Sequence, residues 1–373
     1  MKVFIGKRNS CGLNYQGDVV RAEMMSNYEI VDDAKEADII IFPDTCCSTE
    51  YHTKYTIAYI NKVLADKKPT AKTFVTGCIS RHFTKKIDGY DIEEWLRKKI
   101  DYIVPQNKVY ELLKLISEED YKDYNSDSFG ALLSAKDKSA NIYISNGCRN
   151  NCSFCKTNYQ EYPLKSIELD VLKEAIDYLD EKETKTVTLR GTNVSQYGLD
   201  LYNEYKLPEI IEYIDSKEKI ESVNFVGFAY KDAIKHGFAD TMRDSKKIDE
   251  ISGSLESGSD RLLKLIRKGF TSQEIIDFVN EIKKKYERRL RLNVISGFPT
   301  ETMDDIKKTL EVLKELNPNI IDLCRYTNSK IVDSNNYPQL TPNEIEEHTR
   351  VYSKVLRRRG IKTNINGNGY KFN

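Results

Sequence analysis

Three cysteines stand close together near the middle of this 373-residue chain. The stretch NGCRNNCSFCKTN holds Cys148, Cys152 and Cys155, so three thiols fall within eight residues. A structural zinc site normally takes four protein ligands, and disulfides use cysteines in pairs. The spacing C-x3-C-x2-C also differs from the bacterial ferredoxin run, which is C-x2-C-x2-C with a further cysteine before proline. We therefore expect a cubane iron–sulfur cluster with one iron open to an exogenous molecule. A zinc or purely structural site is the simpler alternative.

Three more cysteines each follow a predicted strand in the first part of the chain. They are Cys11 in NSCGLN, Cys46 in PDTCCST and Cys78 in VTGCIS. Scattered cysteines are usually packing residues. These three would share the carboxyl edge of a sheet, which is where open α/β sheets build their sites. The equal placement therefore favours a second site at that edge.

The elements that must position the first-part cysteines alternate between short apolar runs and helix-length segments. The predicted strands are residues 2–6, 28–31, 38–43, 73–77 and 101–105, and residues 51–68 form a predicted helix. This alternation is typical of an α/β layer fold with a largely parallel sheet. The pattern lapses into polar sequence from about residue 117 to residue 140. We therefore expect an N-terminal domain over 1–120, a linker over 121–139 and a second domain over 140–373.

The second part of the chain repeats a strand–helix unit six times. Its predicted strands are residues 141–145, 186–191, 222–228, 249–255, 290–299 and 320–326, with predicted helices at 170–181 and 272–286 among the connections. Six such units predict a partial or complete barrel of parallel strands. Catalytic groups of such barrels lie at the carboxyl ends of the strands, and Cys148 falls just after the first of them.

Composition limits the classes of protein to which the chain can belong. Lys plus Arg and Asp plus Glu both number 58, so net charge gives no preference for nucleic acid, although a local basic patch can still bind it. Charged residues make up 31% of the chain, and neither an 18-residue apolar run nor an N-terminal signal is present. We therefore expect a soluble cytoplasmic protein that makes no membrane contact and keeps its thiols reduced.

The three-cysteine loop at the end of the first barrel strand resembles that of the radical S-adenosylmethionine enzymes, and Phe154 matches their usual aromatic residue. The resemblance implies that Cys148, Cys152 and Cys155 hold a 4Fe–4S cluster whose open iron chelates S-adenosylmethionine. Reduction would then cleave the sulfonium and yield a 5′-deoxyadenosyl radical that abstracts hydrogen from an unactivated carbon. The cofactor carries this chemistry, and the protein positions it.

Three other strand ends carry motifs that resemble cofactor contacts of the same superfamily. They lie in the stretches LRGTNVSQYG, SLESGSDR and NVISGFPTET. A Gly- or Ser-rich stretch after a strand is usually only a turn, so the order of the three motifs on successive strands matters more than any one of them. The contacts implied are Gly191, Thr192 and Asn193 for the methionyl part, Glu256 and Ser257 for the ribose, and Gly297 and Pro299 for the adenine.

The first-part cysteines resemble those of the methylthiotransferase subfamily, whose members are of the MiaB and RimO types. The matches are CGLN, DTC and TGC, and the likeness extends from residue 1 to about residue 360. It implies a flavodoxin-like domain in which Cys11, Cys46 and Cys78 hold a second 4Fe–4S cluster that carries the inserted sulfur. Cys47 would then be a neighbour of this set, and Cys324 is expected to be a core residue.

The sequence departs from that subfamily where substrate would be recognised. The chain stops at RRRGIKTNINGNGYKFN, where family members usually continue into a TRAM domain that grips RNA, so we expect none here. NYQEYPLKSIELD replaces an Arg-rich run, RYTNSKIVDS replaces Pro-Arg-Pro-Gly-Thr, and Glu256 stands where Gln is usual.

Candidate substrate contacts are two basic clusters. One comprises Lys283 to Lys285 with Arg288, Arg289 and Arg291, and the other comprises Arg357, Arg358, Arg359 and Lys362. Such runs are more often solvated helix faces than binding sites, although Lys and Arg interleaved with Tyr can grip a single-stranded RNA loop.

The resemblance implies methylthiolation of carbon-2 of a modified adenosine next to the anticodon of tRNA. One alternative is a protein side chain, such as an aspartate of a ribosomal protein, and another is a non-catalytic iron–sulfur protein that binds RNA. Two sets of three cysteines argue against the last, because a pure binder needs no open clusters. An external electron donor such as a flavodoxin or ferredoxin is expected, while the sequence identifies no sulfur donor.

Overall fold

The computed structural model describes residues 1–7, 17, 20–21, 24–25, 27–47, 50–80, 86, 89–105, 109–117, 134–136, 138–156 and 163–366. The chain forms two compact units. The first comprises residues 1–134, 159–161 and 328–331, and the second comprises residues 135–158, 162–327 and 332–373. Cys11 and most of the predicted linker lie outside the described residues.

The first unit is built on a five-stranded parallel sheet. Its strands are β1 (Lys2–Ile5), β2 (Glu29–Ile30), β3 (Ile39–Thr45), β4 (Lys72–Gly77) and β5 (Tyr102–Ile103). Their order is β2-β1-β3-β4-β5, and every pairing is parallel. This is the strand order of flavodoxin-like sheets, so the predicted fold of this unit is confirmed.

Helices cover both faces of that sheet, which explains why β3 is apolar almost throughout. The described helices are α1 (Glu50–Leu64), α2 (Ile92–Lys99) and α3 (Val109–Ser117). Successive strand side chains point to opposite faces. Ile40 and Phe42 therefore pack with one apolar cluster that includes residues of α1 and α2, and Ile41 packs with another that includes Leu112 of α3.

The second unit contains a nine-stranded sheet. Its strands are β6 (Ser134–Lys136), β7 (Ser139–Asn146), β8 (Lys165–Ser166), β9 (Thr186–Gly191), β10 (Ser222–Phe228), β11 (Ile248–Glu256), β12 (Arg289–Ser296), β13 (Ile320–Arg325) and β14 (Lys362–Asn366). The order is β14-β13-β12-β11-β10-β9-β7-β6, with β8 antiparallel to β7. The six predicted barrel strands are β7 and β9 to β13, which pair in parallel, so the predicted partial barrel is confirmed. Strand β14 adds a parallel neighbour to β13 that the polar sequence KTNIN did not indicate.

The helices of the second unit connect these strands. They are α4 (Leu169–Glu181), α5 (Leu207–Asp215), α6 (Tyr230–Lys235), α7 (Ala239–Asp244), α8 (Asp260–Ile266), α9 (Ser272–Ile282), α10 (Met303–Leu316) and α11 (Pro342–Arg358). Capping boxes begin three of them, at Thr271, Thr302 and Thr341. Helix α9 ends at Ile282 rather than at residue 286, because the chain turns there and Arg288 enters the buried interior.

Arg288 braces the amino-terminal side of the barrel sheet. Its guanidinium is almost fully buried and donates hydrogen bonds to the carbonyl oxygens of Ile248 (2.6 Å), Met242 (3.1 Å) and Ser245 (2.5 Å). Two of these acceptors lie at the end of α7, where helix carbonyls lack partners within the helix. We expect Arg288→Met to lower the free energy of unfolding in urea by about 3 kcal/mol, because it leaves buried carbonyls without a donor.

The neighbouring Arg289 offers a matched control. Its side chain is about half exposed and pairs with Asp249 at 2.6 Å. Surface pairs of this kind contribute about 1 kcal/mol or less, so Arg289→Met should have a small effect on the same measurement. Equal losses in the two variants would show that Arg288 is not a brace.

Candidate active site

The three-cysteine loop begins at a glycine that no other residue can replace without strain. Strand β7 ends at Asn146, and Gly147 has a φ of +79°, a conformation that L side chains rarely adopt. A Cβ built on Gly147 would lie 2.1 Å from the carbonyl oxygen of Pro163. The tight turn therefore brings Cys148 directly to the carboxyl end of the first barrel strand.

Backbone hydrogen bonds fix the rest of this loop. The N–H of Ser153 donates to the carbonyl oxygen of Ile266 at 3.0 Å, which ties the loop to the end of α8. The N–H of Cys155 donates to the carbonyl oxygen of Cys152 at 3.0 Å, which closes a turn between the second and third cysteines. All three thiols are partly buried and carry no disulfide.

The thiols of this loop lie close enough to interact electrostatically. Burial raises the pKa of Cys148, and burial raises the pKa of Cys152 to about 11, with neighbouring thiols of the set adding to both shifts. A coordinated metal reverses this, because a thiol that ligates a cation is deprotonated outright. Among the described residues, no group of three or more His, Cys, Asp or Glu side chains is arranged around a single metal ion.

The sulfur of Cys148 already accepts two hydrogen bonds. The donors are the backbone N–H of Asn150, at 3.3 Å, and the side-chain amide Nδ2 of Asn193, at 3.4 Å. N–H donors to the sulfurs are among the features that set the properties of iron–sulfur clusters. Three partly buried thiols with N–H donors on one of them form a donor set that fits a 4Fe–4S cluster.

The motif after β9 is held against the start of the cysteine loop. The hydroxyl of Thr192 donates to the side-chain oxygen of Asn146 at 3.0 Å and accepts the N–H of Gly147 at 3.2 Å. A Cβ on Gly191 would lie 2.7 Å from the carbonyl oxygen of Ser145, so β7 and β9 approach closely here. Asn193 is buried, and its side-chain amide donates to the sulfur of Cys148 and to the carboxylate of Asp232.

The motif after β11 contributes a buried ion pair beside the second cysteine. Glu256 lies 3.7 Å from the ammonium of Lys268, and both side chains are less than a tenth exposed. Burial raises the pKa of Glu256, and the charge of Lys268 opposes the rise in the pKa of Cys152. Ser257 is buried, and its hydroxyl lies 3.1 Å from that of Thr309.

The motif after β12 is packed against the last long helix. Gly297 has a φ of +75°, and a Cβ there would lie 2.6 Å from the Ile345 side chain of α11. Pro299 is buried in the same loop. Phe154 of the cysteine loop packs on an apolar cluster that includes Ile295 and Phe298. The structure thus brings all three predicted strand-end motifs to the cysteine loop.

A carboxylate that sequence reasoning missed shapes the β12 loop. Glu301 accepts the backbone N–H of Gly297 at 2.6 Å, and it also bonds Nδ1 of His348 at 2.8 Å and the hydroxyl of Tyr352 at 3.1 Å. All three side chains are buried. His348 and Tyr352 belong to α11 and have no local motif, so only the fold shows that they act on this loop.

The His348–Glu301 pair predicts a pH-dependent stability. The hydrogen bond to Glu301 raises the pKa of His348 above its usual value near 6.5, and Glu344 and Glu347 act in the same direction. The pair therefore stabilises the fold fully below about pH 6.5, and this contribution is lost as pH rises through the elevated pKa. We expect His348→Gln to reduce the free energy of unfolding most at low pH, with the difference shrinking toward alkaline pH in urea titrations. A pH-independent difference would contradict the ion pair.

In the first unit, Cys46 and Cys78 each directly follow the last residue of one of two adjacent strands. Thr45 and Gly77 are paired residues of β3 and β4, and each is followed directly by a cysteine. Gly77 has a φ of +95°, and a Cβ there would lie 2.7 Å from Thr45 Oγ1, so the two strands approach closely. Cys46 and Cys47 are both completely buried, and Cys78 is 8% exposed.

An ion pair lies immediately before these cysteines. The guanidinium of Arg21 donates to the Asp44 carboxylate, with distances of 2.9 Å from Nε and 2.7 Å from Nη2, and Nη2 also donates to the carbonyl oxygen of Gly6. Both nitrogens donate to the same carboxylate oxygen, Oδ2, and charge-assisted bonds of this kind are stronger than bonds between neutral groups. Arg21 therefore links the ends of β1 and β3 at the edge where the second set of cysteines lies.

Four of the six residues in the first predicted basic cluster pair with carboxylates within the protein. Every member has an intramolecular partner: Lys283 bonds the Leu316 carbonyl, Arg288 is buried, and Lys284, Lys285, Arg289 and Arg291 pair with Glu281, Asp244, Asp249 and Asp322 respectively. In the second cluster, Arg359 donates to the Leu310 carbonyl, while Arg357 and Arg358 are exposed.

Two family models match the chain. The model described as Radical SAM superfamily matches residues 142–313, and the one described as Uncharacterized protein family UPF0004 matches residues 9–94. Among the described residues, no helix combines the length and apolar character that a membrane span requires.

Curated relatives match over most of the chain. The ribosomal protein uS12 methylthiotransferase RimO of Clostridium acetobutylicum is 25% identical over 94% of this chain and 80% of the relative. The threonylcarbamoyladenosine tRNA methylthiotransferase MtaB of Aquifex aeolicus is 25% identical over 92% of this chain and 85% of the relative. The tRNA-2-methylthio-N(6)-dimethylallyladenosine synthase of Thermodesulfovibrio yellowstonii is 30% identical over 77% of this chain and 66% of the relative.

Solved structures share the fold at low sequence identity. The radical S-adenosylmethionine methyltransferase TsrM of Kitasatospora setae matches with a TM-score of 0.55 at 12% identity, over 89% of this chain and 73% of that chain. At this identity the likeness concerns the fold alone.

Proposed function

This chain belongs to the radical S-adenosylmethionine methylthiotransferase family, and we propose that it inserts a methylthio group at carbon-2 of a modified adenosine next to the anticodon of tRNA. It is an enzyme, and its family uses S-adenosylmethionine and 4Fe–4S clusters. The family includes relatives named for tRNA and relatives named for a ribosomal protein.

The observation that carries the proposed chemistry is the convergence of three strand-end motifs on the cysteine loop. Cys148, Cys152 and Cys155 would hold the radical cluster. When bound, the cluster and S-adenosylmethionine supply a radical that abstracts hydrogen from carbon. Asn150 and Asn193 would hold the sulfur of Cys148 in place through the two N–H donors.

The remaining site residues would position S-adenosylmethionine and exclude water. Thr192 stands at the turn into the loop, and the buried Glu256–Lys268 pair lies beside Cys152. Phe154 and Phe298 line an apolar side of the site. The proposed contacts are Gly191, Thr192 and Asn193 toward the methionyl part, Glu256 and Ser257 toward the ribose, and Gly297 and Pro299 toward the adenine.

The second set would hold the cluster that delivers sulfur. Cys46 and Cys78 follow paired residues of adjacent strands, which supports their acting together. Cys11 joins them by its sequence motif alone, because it lies outside the described residues. A reduced flavodoxin or ferredoxin would supply the electron.

The choice of tRNA is supported by the relatives named as tRNA enzymes, one of them at 30% identity. A protein side chain is the second candidate, because the uS12-modifying relative aligns with 94% of this chain. Both candidates need the same chemistry at an unactivated carbon, so only the substrate distinguishes them.

Mass spectrometry of cells with and without the protein tests the substrate. Nucleosides from total tRNA should contain a methylthio-adenosine only when the unaltered protein is present, and cells that produce the Cys148→Ala variant should lack it. Peptides of ribosomal proteins from the same cells provide the second arm. A methylthio group on a ribosomal peptide, with tRNA unchanged, would reject tRNA in favour of a protein substrate.

A further inference from the structure

A buried carboxylate outside every recognised motif lies behind the cysteine loop. Asp232, the third residue of α6, is 3% exposed. Its Oδ2 accepts the side-chain amides of Asn150 and Asn193, each at 3.1 Å. Its Oδ1 accepts the amide of Gln196 at 3.1 Å and the hydroxyl of Tyr205 at 3.5 Å. Four donors on other elements therefore converge on one carboxylate.

Two of these donors connect Asp232 to the sulfur of Cys148. The same Nδ2 of Asn193 that bonds Asp232 lies 3.4 Å from Cys148 Sγ, and the backbone N–H of Asn150 lies 3.3 Å from it. Gln196 adds a third connection, because its Oε1 accepts the N–H of Arg149 at 2.8 Å. Asp232 thus holds the start of the cysteine loop through the side-chain amides of Asn150, Asn193 and Gln196. Each of these residues also bonds Cys148 or its neighbour Arg149.

Among the described residues, the groups that donate hydrogen bonds to the Asp232 carboxylate are all neutral. Its four partners are three amides and a phenol, all acting as donors, which is the arrangement that a carboxylate accepts. The charge is therefore spread by hydrogen bonds but not cancelled by a cation among them. A charge in a buried site acts on its neighbours more strongly than one in water.

We propose that Asp232 is a positioning residue of the radical cluster, which fixes Cys148 through Asn150 and Asn193 and lowers the reduction potential of the cluster through its negative charge. The inference rests on the proposed ligand role of Cys148. Net charge and hydrogen bonds to the sulfurs are two of the factors that set iron–sulfur potentials. A purely structural Asp232 would hold the loop but leave the potential where it is.

The first test is the midpoint potential of the Asp232→Asn variant. Asparagine keeps the size of the side chain and one acceptor oxygen for the two amides, but it removes the charge. We expect a redox titration of the reconstituted full-length protein to show a shift to more positive potential. The signal to follow by electron paramagnetic resonance is the one that changes when S-adenosylmethionine is added.

A matched control comes from a carboxylate elsewhere in the same unit. Asp322 is also buried, but its charge is paired with Arg291 and it has no described contact with the cysteine loop. Asp322→Asn should leave the midpoint potential unchanged. An unchanged potential in Asp232→Asn, or an equal shift in both variants, would overturn the proposed role of the charge.

The second test needs no cluster. In the iron-free full-length chain, Asp232→Ala should make Cys148 react with iodoacetamide about tenfold faster than in the unaltered chain, because the amides that hold its sulfur lose their anchor. Cys324 in the same sample reports general loosening and should react at an unchanged rate. Equal rates at Cys148 in variant and unaltered chains would overturn the positioning role.

Failure of the proposed function gives a different result. If Cys148→Ala keeps the signal that responds to S-adenosylmethionine, Cys148 is not a ligand, and both proposals fall. If that signal is lost in Cys148→Ala while Asp232→Asn has the unaltered potential, only the inference about Asp232 is rejected.

Discussion

We expect the Cys148→Ala, Cys152→Ala and Cys155→Ala variants each to lose cleavage of S-adenosylmethionine completely and to bind about four fewer irons per chain than the unaltered protein. Three thiolates are the fewest that leave a single open iron on a cubane cluster, so the loss of one removes the cluster rather than weakening it. The measurements are 5′-deoxyadenosine formation under reducing conditions and iron content after anaerobic reconstitution.

Cys324 provides the matched control in the same unit. It lies on β13 and is only partly buried, whereas the sequence suggested a core residue. Cys324→Ala removes a thiol without touching the loop, so iron content and cleavage should be unchanged. Urea unfolding of the iron-free variants would show whether each variant is still folded, and so whether iron is lost because a ligand is missing or because the fold is lost. Cleavage by any of the three loop variants at the unaltered rate would remove that cysteine from the site.

The sequence predicted the frame of this site well, because the information is local. The strand at 38–43 is an apolar run and the strand at 186–191 alternates polar and apolar residues, both of strand length, and parallel strands of one sheet bring their carboxyl ends to one edge. The cysteines and the Gly-containing motifs follow those strands directly. Knowing where each strand ended was therefore enough to predict that the loop and the three motifs would meet.

The residues that the sequence did not indicate act through partners that are distant along the chain. Asp232 meets Asn150, Lys268 meets Glu256, and His348 meets Glu301. Asp232 and His348 lie in no recognised motif, and Lys268 falls within the family-like stretch SLESGSDRLLKLIRKGFT but had no contact assigned to it. Charged residues are ordinarily assigned to the surface. The basic segment at 283–291 was a candidate contact whose charges alone could not show their partners, and the fold pairs or buries these side chains.

We expect Cys46→Ala and Cys78→Ala to separate the two halves of the reaction. Each should leave cleavage of S-adenosylmethionine largely intact and abolish methylthio product, because the second set would carry the inserted sulfur. Iron content should fall from about eight to about four per chain. Cys11→Ala should behave in the same way by its sequence motif. Product formation by Cys46→Ala and Cys78→Ala at the unaltered rate would reject a second cluster as the sulfur carrier.

Cys47 makes this prediction sharper, because it is as buried as Cys46 and next to it in sequence. Replacing either by alanine removes the same atoms from the interior, so the two variants should lose similar amounts of stability. Only a ligand role distinguishes them. Strand β3 pairs Thr45 with Gly77, so the residues that directly follow this pair are Cys46 and Cys78, whereas Cys47 is one residue further on. Cys47→Ala should therefore retain about eight irons and form product, whereas Cys46→Ala should do neither. The reverse result would identify Cys47 as the ligand. The pairing register of β3 shifts between Phe42 and Thr45, and this irregularity, rather than the sequence motif, would then determine which thiol faces the cluster.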